Sequence, residues 1–343
     1  MPDRDESTRV GPAASLREIG FWLERSRADT YRVRAYRKAA EALDTLDTDD
    51  LEALHVADAW ASVPGLGKAT VAVIRQAMAG QVPERLAELR SAGAAPLAPS
   101  ALRHLLRGDL HSHTTWSDGG SPLAEMAATA QRLGHEYLAV TDHSPRLTVA
   151  HGLSAERLRD QWDEIATVQQ GLDVRILRGI EVDILGDGSL DQSDEMLSGL
   201  DVVVASVHSK LRDEPDTMTA RMVGAIANRH TTVLGHCTGR LVEGARGTRP
   251  QSQFDAEVVF EACRHFDVAV EINSRPERQD PPDDLLALAA ETGCLFSIDT
   301  DAHAPGQLDF LSLGCARAEA AGIDAERIIT TWPLERLLEF ARR

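Results

Sequence analysis

Two histidines, His111 and His113, stand two residues apart in the stretch Asp109–Gly119, where a short apolar run gives way to polar sequence. On a β-strand, residues two apart face the same way, so this pair can hold one metal ion together. Asp118 follows in loop-like sequence that can fold it back towards a neighbouring ion. Alone, a His-x-His pair is equally well explained by surface histidines at a strand end. The rest of the chain supplies more. Apolar runs end in His143, His208 and His236; Glu181 sits within another, and the last offers Asp301 and His303, again two apart. Six of the twelve histidines occupy such positions with Asp and Glu among them, and that is the pattern of a metal-ligand set. Mixed imidazole and carboxylate donors suit Mn²⁺, Zn²⁺ or Fe²⁺ better than Ca²⁺ or an all-thiolate zinc site.

The elements that must position these groups alternate from Gly108 onwards. Strands are expected at 108–112, 136–141, 174–183, 201–207, 231–235, 268–272 and 295–299. Helices are expected between most of them, at 121–133, 154–170, 216–229, 252–264 and 282–292. Seven apolar strands separated by helices imply a parallel sheet covered by helices. Chemistry-bearing residues at so many strand ends favour a closed α/β barrel, whose sites gather at the C-terminal mouth.

The first part of the chain reads differently. Residues 1–12 are polar with Pro and Gly and are expected to form a tail. Residues 13–90 look all-helical, and the small, Pro-rich run within 91–107 reads as a linker to a domain spanning 108–343. Leu16, Ile19 and Leu23 make one apolar stripe; Val33, Tyr36, Ala40 and Leu43 make another. Arg32, Arg34, Arg37 and Lys38 fall largely outside the second stripe and form a candidate nucleic-acid face, with a solvated basic face as the alternative. Val63–Lys68 reads as a tight Pro-Gly-x-Gly turn between helices, and Gly80–Leu89 as a further short helix. Gly65 and Gly67 allow a close backbone approach, so that their N–H groups and Lys68 can meet a phosphate at a helix N-terminus.

The net charge of −18 is unevenly spread. Residues 1–107 carry 15 basic and 15 acidic side chains, so the whole excess belongs to the larger part. Bound cations would offset some of it; the remainder would repel a polyanion unless the helical part held it. No run approaches eighteen apolar residues and Met1–Val10 is charged, so neither a membrane span nor a signal peptide is expected, and the cytosol is the expected compartment. Four scattered cysteines imply no disulfide framework.

Residues 108–343 resemble the PHP (polymerase and histidinol phosphatase) superfamily of metal-dependent phosphoesterases. The resemblance rests on His111-Ser-His113 with Ser117-Asp118-Gly119, Thr141-Asp-His143, Ser206-Val-His208 with Gly235-His236, and Asp299-Thr-Asp301-Ala-His303. It implies a distorted seven-stranded β/α barrel holding three divalent metal ions. By the same resemblance, His111, His113, Glu181 and Asp301 hold the first ion. Glu181 bridges to the second, with His208 and His236, and Asp118, His143 and His303 hold the third. Residues 14–90 resemble the helix-hairpin-helix region of bacterial family X DNA polymerases, through Tyr31–Arg37 and Val63–Lys68. Val270–Asn273 and Asp301–Asp309 resemble the PHP part of the same branch. Only the linker separates the two parts here, which leaves no room for a polymerase palm.

These readings give three functional expectations. The first is a phosphoesterase trimming DNA 3′ ends, the second a small-molecule phosphomonoesterase of the histidinol phosphatase type, and the third a binding protein with a structural metal site. Lys210, Arg275 and Arg278 lie just beyond strand ends and could neutralise substrate phosphate, or be ordinary surface charges. Asp142 and Asp299 adjoin expected ligands and could orient a histidine. The oligomeric state is not legible.

Overall fold

The structure is a computed structural model that describes residues 10–244 and 247–342. The chain divides into two compact units between Pro96 and Leu97.

In the first unit, α1 (Pro12–Arg25), α2 (Thr30–Asp44), α3 (Thr48–Val56), α4 (Lys68–Met78) and α5 (Glu84–Ala92) form a helical bundle. Leu16, Ile19 and Leu23 meet Tyr36, Ala40, Leu43, Trp60, Ile74 and Leu86 in one core, as the apolar stripes require. α2 begins at the Asp29 side chain, which accepts from the Tyr31 N–H. Between α3 and α4, Trp60–Ser62 forms a single 3₁₀ turn. α5 starts only at Glu84, because Pro83 favours an extended residue before it and its ring fits the N-cap. The expected tail lies outside the described residues over 1–9, and α1 begins at Pro12.

The second unit starts within the expected linker. Leu102 and Leu106 are buried in the second unit's main hydrophobic cluster, and the Leu102 N–H donates to Glu319 at 2.7 Å. That burial makes 102–106 part of this unit rather than a tether.

Its sheet runs β1 (Gly108–Asp109), β2 (Tyr137–Val140), β3 (Arg175–Asp183), β4 (Val202–Ser206), β5 (Val233–Leu234), β6 (Ala269–Asn273) and β7 (Phe296–Asp299). The strands lie in sequence order and every neighbouring pair is parallel. Helices α6 (Leu123–Arg132), α7 (Ala155–Val168), α8 (Asp194–Leu197), α9 (Pro215–Ile226), α10 (Ala256–His265) and α11 (Asp283–Thr292) connect them. After β7 come α12 (Leu311–Ala320) and α13 (Leu334–Ala341), which the sequence reading did not include. This unit is a nearly closed, distorted seven-stranded β/α barrel, and the chain carries the small helical domain N-terminal to it in sequence.

β1 is shorter than expected because side chains replace its ladder. The N–H of Leu110 donates to Asp299 Oδ1 at 2.7 Å, and that of Ser112 to Thr141 Oγ1 at 2.9 Å. Between β1 and β7 the sheet closes through a Ser112–Ala302 bridge and through Asp109, which accepts from the Thr300 hydroxyl and, at 3.2 Å, from the Thr300 N–H. Asp109, Asp299 and Thr300 are fully buried.

Candidate metal centre

All nine expected ligands gather at the C-terminal ends of the strands. His111 and His113 leave β1, His143 follows β2, Glu181 lies on β3, His208 and His236 follow β4 and β5, and Asp301 and His303 follow β7. Asp118 is carried by the turn after His113, which Gly119 lets close: a Cβ there would lie 2.6 Å from the Thr114 nitrogen.

Glu181 is the hub. Its Oε1 lies 2.8 Å from His236 Nε2 and 3.1 Å from His208 Nε2. Its Oε2 lies 2.9 Å from His143 Nδ1, 3.4 Å from His111 Nε2 and 3.5 Å from His113 Nε2. Asp118 Oδ1 is 3.4 Å from both His143 Nε2 and His303 Nε2, and Asp301 Oδ1 is 3.4 Å from His113 Nε2. Donor atoms within 4.8 Å of one another form four overlapping groups: His113, Asp118, His143 and His303; His111, His113 and Asp301; His111, Glu181 and His236; and His143, Glu181 and His208. His143 thus borders both Asp118 and Glu181, and His236 shares a group with His111 rather than with His208.

Electrostatics follow from this crowding. Burial pushes the Glu181 carboxyl up, but the surrounding imidazoles of His208, His111 and His143 outweigh it and hold it well below the usual range. Burial likewise opposes the proton on His143, yet Glu181 and Asp118 raise it to about 10. His113 is driven well down, first by burial and then by the charges of His303 and His143. Asp301 is held well down despite burial by Arg278 and Arg275.

The donor set fits divalent cations. His111 Nε2, His208 Nε2, His236 Nε2 and both Glu181 oxygens are buried without a hydrogen-bond partner, and their lone pairs converge. Buried polar atoms rarely go unsatisfied, and convergent imidazole and carboxylate atoms are the ligands of Zn²⁺, Mn²⁺ and Fe²⁺.

The residues that orient the ligands were partly missed. Glu271 on β6 takes His111 Nδ1 at 2.5 Å and the His236 N–H at 2.5 Å. It stands inside an apolar strand, the same signal that picks out Glu181. Asp183 accepts the His208 N–H at 3.0 Å. Asp142 and Asp299, expected to orient histidines, instead accept backbone N–H groups, from Thr114 and Ser117 and from Leu110 respectively.

The candidate phosphate contacts divide. Arg278 is buried and donates from Nε to Asp301 Oδ2 at 2.8 Å, with Nη1 unpartnered. Arg275 donates to the Asp301 carbonyl at 3.2 Å. Lys210 is exposed.

In the helical unit Arg32, Arg34, Lys38 and Lys68 are exposed. Arg37 is not: it is buried against Glu24, donating from Nε at 2.8 Å and Nη2 at 2.6 Å. The α2 stripe turns its guanidinium inward, where Gly20 leaves room for it. Gly65 has φ 90°, as the tight turn requires. The Gly67 N–H already donates to Thr70 Oγ1 at 2.9 Å, so it closes the turn rather than facing outward. Among the described residues no helix is long and apolar enough to cross a membrane.

A family model described as a PHP domain matches residues 109–275, and one described as a helix-hairpin-helix domain matches 11–82. The chain is 37% identical over 239 residues to the DNA polymerase/3′-5′ exonuclease PolX of Bacillus subtilis; the match covers 69% of this chain and 41% of the relative. The chain therefore spans about two fifths of that relative's length. It is 30% identical over 243 residues to the "Probable phosphatase YcdX" of an Escherichia coli O139:H28 strain, covering 68% of this chain and 92% of the relative. Among solved structures it matches a zinc-containing histidinol phosphate phosphatase of Lactococcus lactis at TM-score 0.46 and 18% identity, over 64% of this chain and 94% of that one.

Proposed function

The chain belongs to the PHP family, and from that membership we propose that it is a metal-dependent phosphoesterase processing DNA 3′ ends, as a nuclease or a phosphatase. The observation that carries the reading is the convergence of five imidazoles on the buried Glu181 carboxylate.

Three divalent ions, Mn²⁺, Zn²⁺ or Fe²⁺, would be held by His111, His113, Asp118, His143, Glu181, His208, His236, Asp301 and His303. When bound, such ions polarise phosphoryl oxygens and make a water nucleophilic near neutral pH. The chain's own residues do the rest. Glu181 sets the spacing of the imidazoles, and Glu271 and Asp183 hold His111 and His208 in line. Arg278 takes one oxygen of Asp301 and leaves the other facing His113, while its unpartnered Nη1 can donate to a phosphoryl oxygen. Arg275 and Lys210 would add positive charge at the mouth. No protein nucleophile is required.

Substrate choice rests on the helical unit. Arg32, Arg34, Lys38 and Lys68 are exposed cations of the helix-hairpin-helix unit, and they would supply the positive charge for a DNA backbone that the barrel unit lacks. The second reading, a small-molecule phosphomonoesterase, draws on the phosphatase relative that the barrel matches over nearly its whole length.

The test is direct. Chelator-stripped protein reloaded with Mn²⁺ or Zn²⁺ is offered labelled DNA with free or phosphorylated 3′ ends, and histidinol phosphate beside it. Metal-dependent shortening or dephosphorylation of the DNA is the expected result. Turnover of the monoester alone would move the assignment to the second reading, and no turnover of any ester would remove both.

A further inference from the structure

Of the carboxylates in the donor groups, Asp118 is the least secured by its own element. Its side chain keeps 33% of its exposure, against 1% for Glu181 and for Asp301, and it stands on a turn rather than at a strand end. Loops position side chains less accurately than strands do, so a ligand there needs external support.

That support comes from one face of α7. Arg157, Gln161 and Glu164 are spaced i, i+4, i+7 and share a face of the helix. Arg157 donates to the carbonyl of Trp116 and lies over its ring at 5.8 Å. It also donates to the carbonyl of His151 at 2.6 Å, in the segment that follows His143. Glu164 accepts the indole N–H of Trp116 at 2.6 Å. Gln161, fully buried, donates to Asp142 Oδ2 at 2.7 Å. Asp142 in turn accepts the N–H and hydroxyl of Thr114 and of Ser117. Every one of these bonds ends on the turn 114–117 immediately before Asp118, on the residue that holds that turn, or on the segment after His143.

We propose that the Arg157–Gln161–Glu164 face of α7 is a clamp that positions Asp118, and so sets the occupancy of the outermost ion, the one whose donor group contains Asp118. The inference rests on the metal-centre reading above. The inner groups do not include Asp118, and within them Glu181, His208, His236 and Asp301 are fixed by strands, Asp183, Glu271 and Arg278. Arg157, Gln161 and Glu164 are positioning residues.

The experiment titrates the chelator-stripped full chain with Mn²⁺, counting bound ions and their affinities by calorimetry and elemental analysis. Hydrogen exchange of the turn 114–118 is followed alongside. Wild type should take up three ions. Arg157→Ala and Glu164→Ala should lose affinity for one of the three by about tenfold or more, the loss typical of outer-shell supports, and should exchange faster in the turn. Glu164→Gln, which keeps an acceptor for the indole, should behave as wild type. Three ions at wild-type affinity in Arg157→Ala would overturn the clamp, as would equal weakening of all three. A wild-type chain that takes up no ion would instead remove the metal reading on which the clamp rests.

Discussion

Glu271 Oε1 lies 2.5 Å from Nδ1 of His111, and its other oxygen takes the N–H of His236 at the same distance. One carboxylate from β6 therefore fixes the ring of one donor and the backbone of another. Such supports contribute about 10–100-fold to metal affinity. Glu271→Ala is expected to weaken Mn²⁺ binding and turnover within that range, and Glu271→Gln to weaken both less, because an amide oxygen can still accept from one of the two groups. Binding isotherms that match wild type for Glu271→Ala would refute this role.

Arg37 supports the fold of the helical unit rather than its surface. Removing one member of a buried ion pair costs about 3–5 kcal/mol, since the other charge is left uncompensated. Arg37→Ala should therefore lower the stability of the unit by roughly 3 kcal/mol in urea melts, by the same principle. If Arg37→Ala unfolds at the wild-type midpoint while losing DNA affinity, the residue is a contact after all.

Lys68 and Arg34 remain exposed and available. Removing a single cation that touches a phosphate should reduce the slope of log affinity against log salt by about one. Lys68→Ala and Arg34→Ala are expected to weaken DNA binding at low salt, with flatter salt dependence and unchanged hydrolysis of a small monoester. A parallel shift with an unchanged slope would speak against a backbone contact.

His135 provides a pH prediction away from the metal centre. Burial, and then the charge of Arg103, push its imidazole down to about 3. An unfolded histidine titrates near 6.5, so between about pH 6.5 and 3 the unfolded chain binds a proton that the folded one refuses. Stability from this group is complete above that window and falls as the pH drops, by about 1.4 kcal/mol per pH unit. Compared with His135→Leu, which lacks the group, the wild type should lose that much extra stability from pH 6 to pH 5. A stability difference between the two that stays constant with pH would disprove it.

Much of the barrel was legible because its signals are periodic. Apolar runs of strand length, six of them carrying or ending in an expected histidine or carboxylate ligand, located all seven strands and brought every expected ligand to one end of them. What periodicity does not encode is where side chains replace backbone. β1 stops at Asp109 because Asp299 and Thr141 take the next N–H groups, and nothing in the local pattern announces those distant partners. Arg37 was misplaced for a similar reason: a stripe drawn from apolar residues alone cannot show that Gly20 opens room for a guanidinium. Glu271 was within reach, as a charged residue inside an apolar strand, the same argument that found Glu181. α12 and α13 went unread, although Leu311 and Leu337 anchor them in the core.

The Asp109–Thr300 seam has a consequence for the order in which the centre can assemble. The bond joins residues 191 positions apart, and it closes the barrel between its first strand and its last. Contacts of such long sequence separation form late, because the chain entropy of the enclosed loop must first be lost. His111 and His113 therefore meet Asp301 only once the final strand has arrived. A nascent barrel unit lacking β7 would lack Asp301 and His303, so the two donor groups that include them could fill only after that strand has folded in, whereas the groups His111–Glu181–His236 and His143–Glu181–His208 need no residue beyond His236.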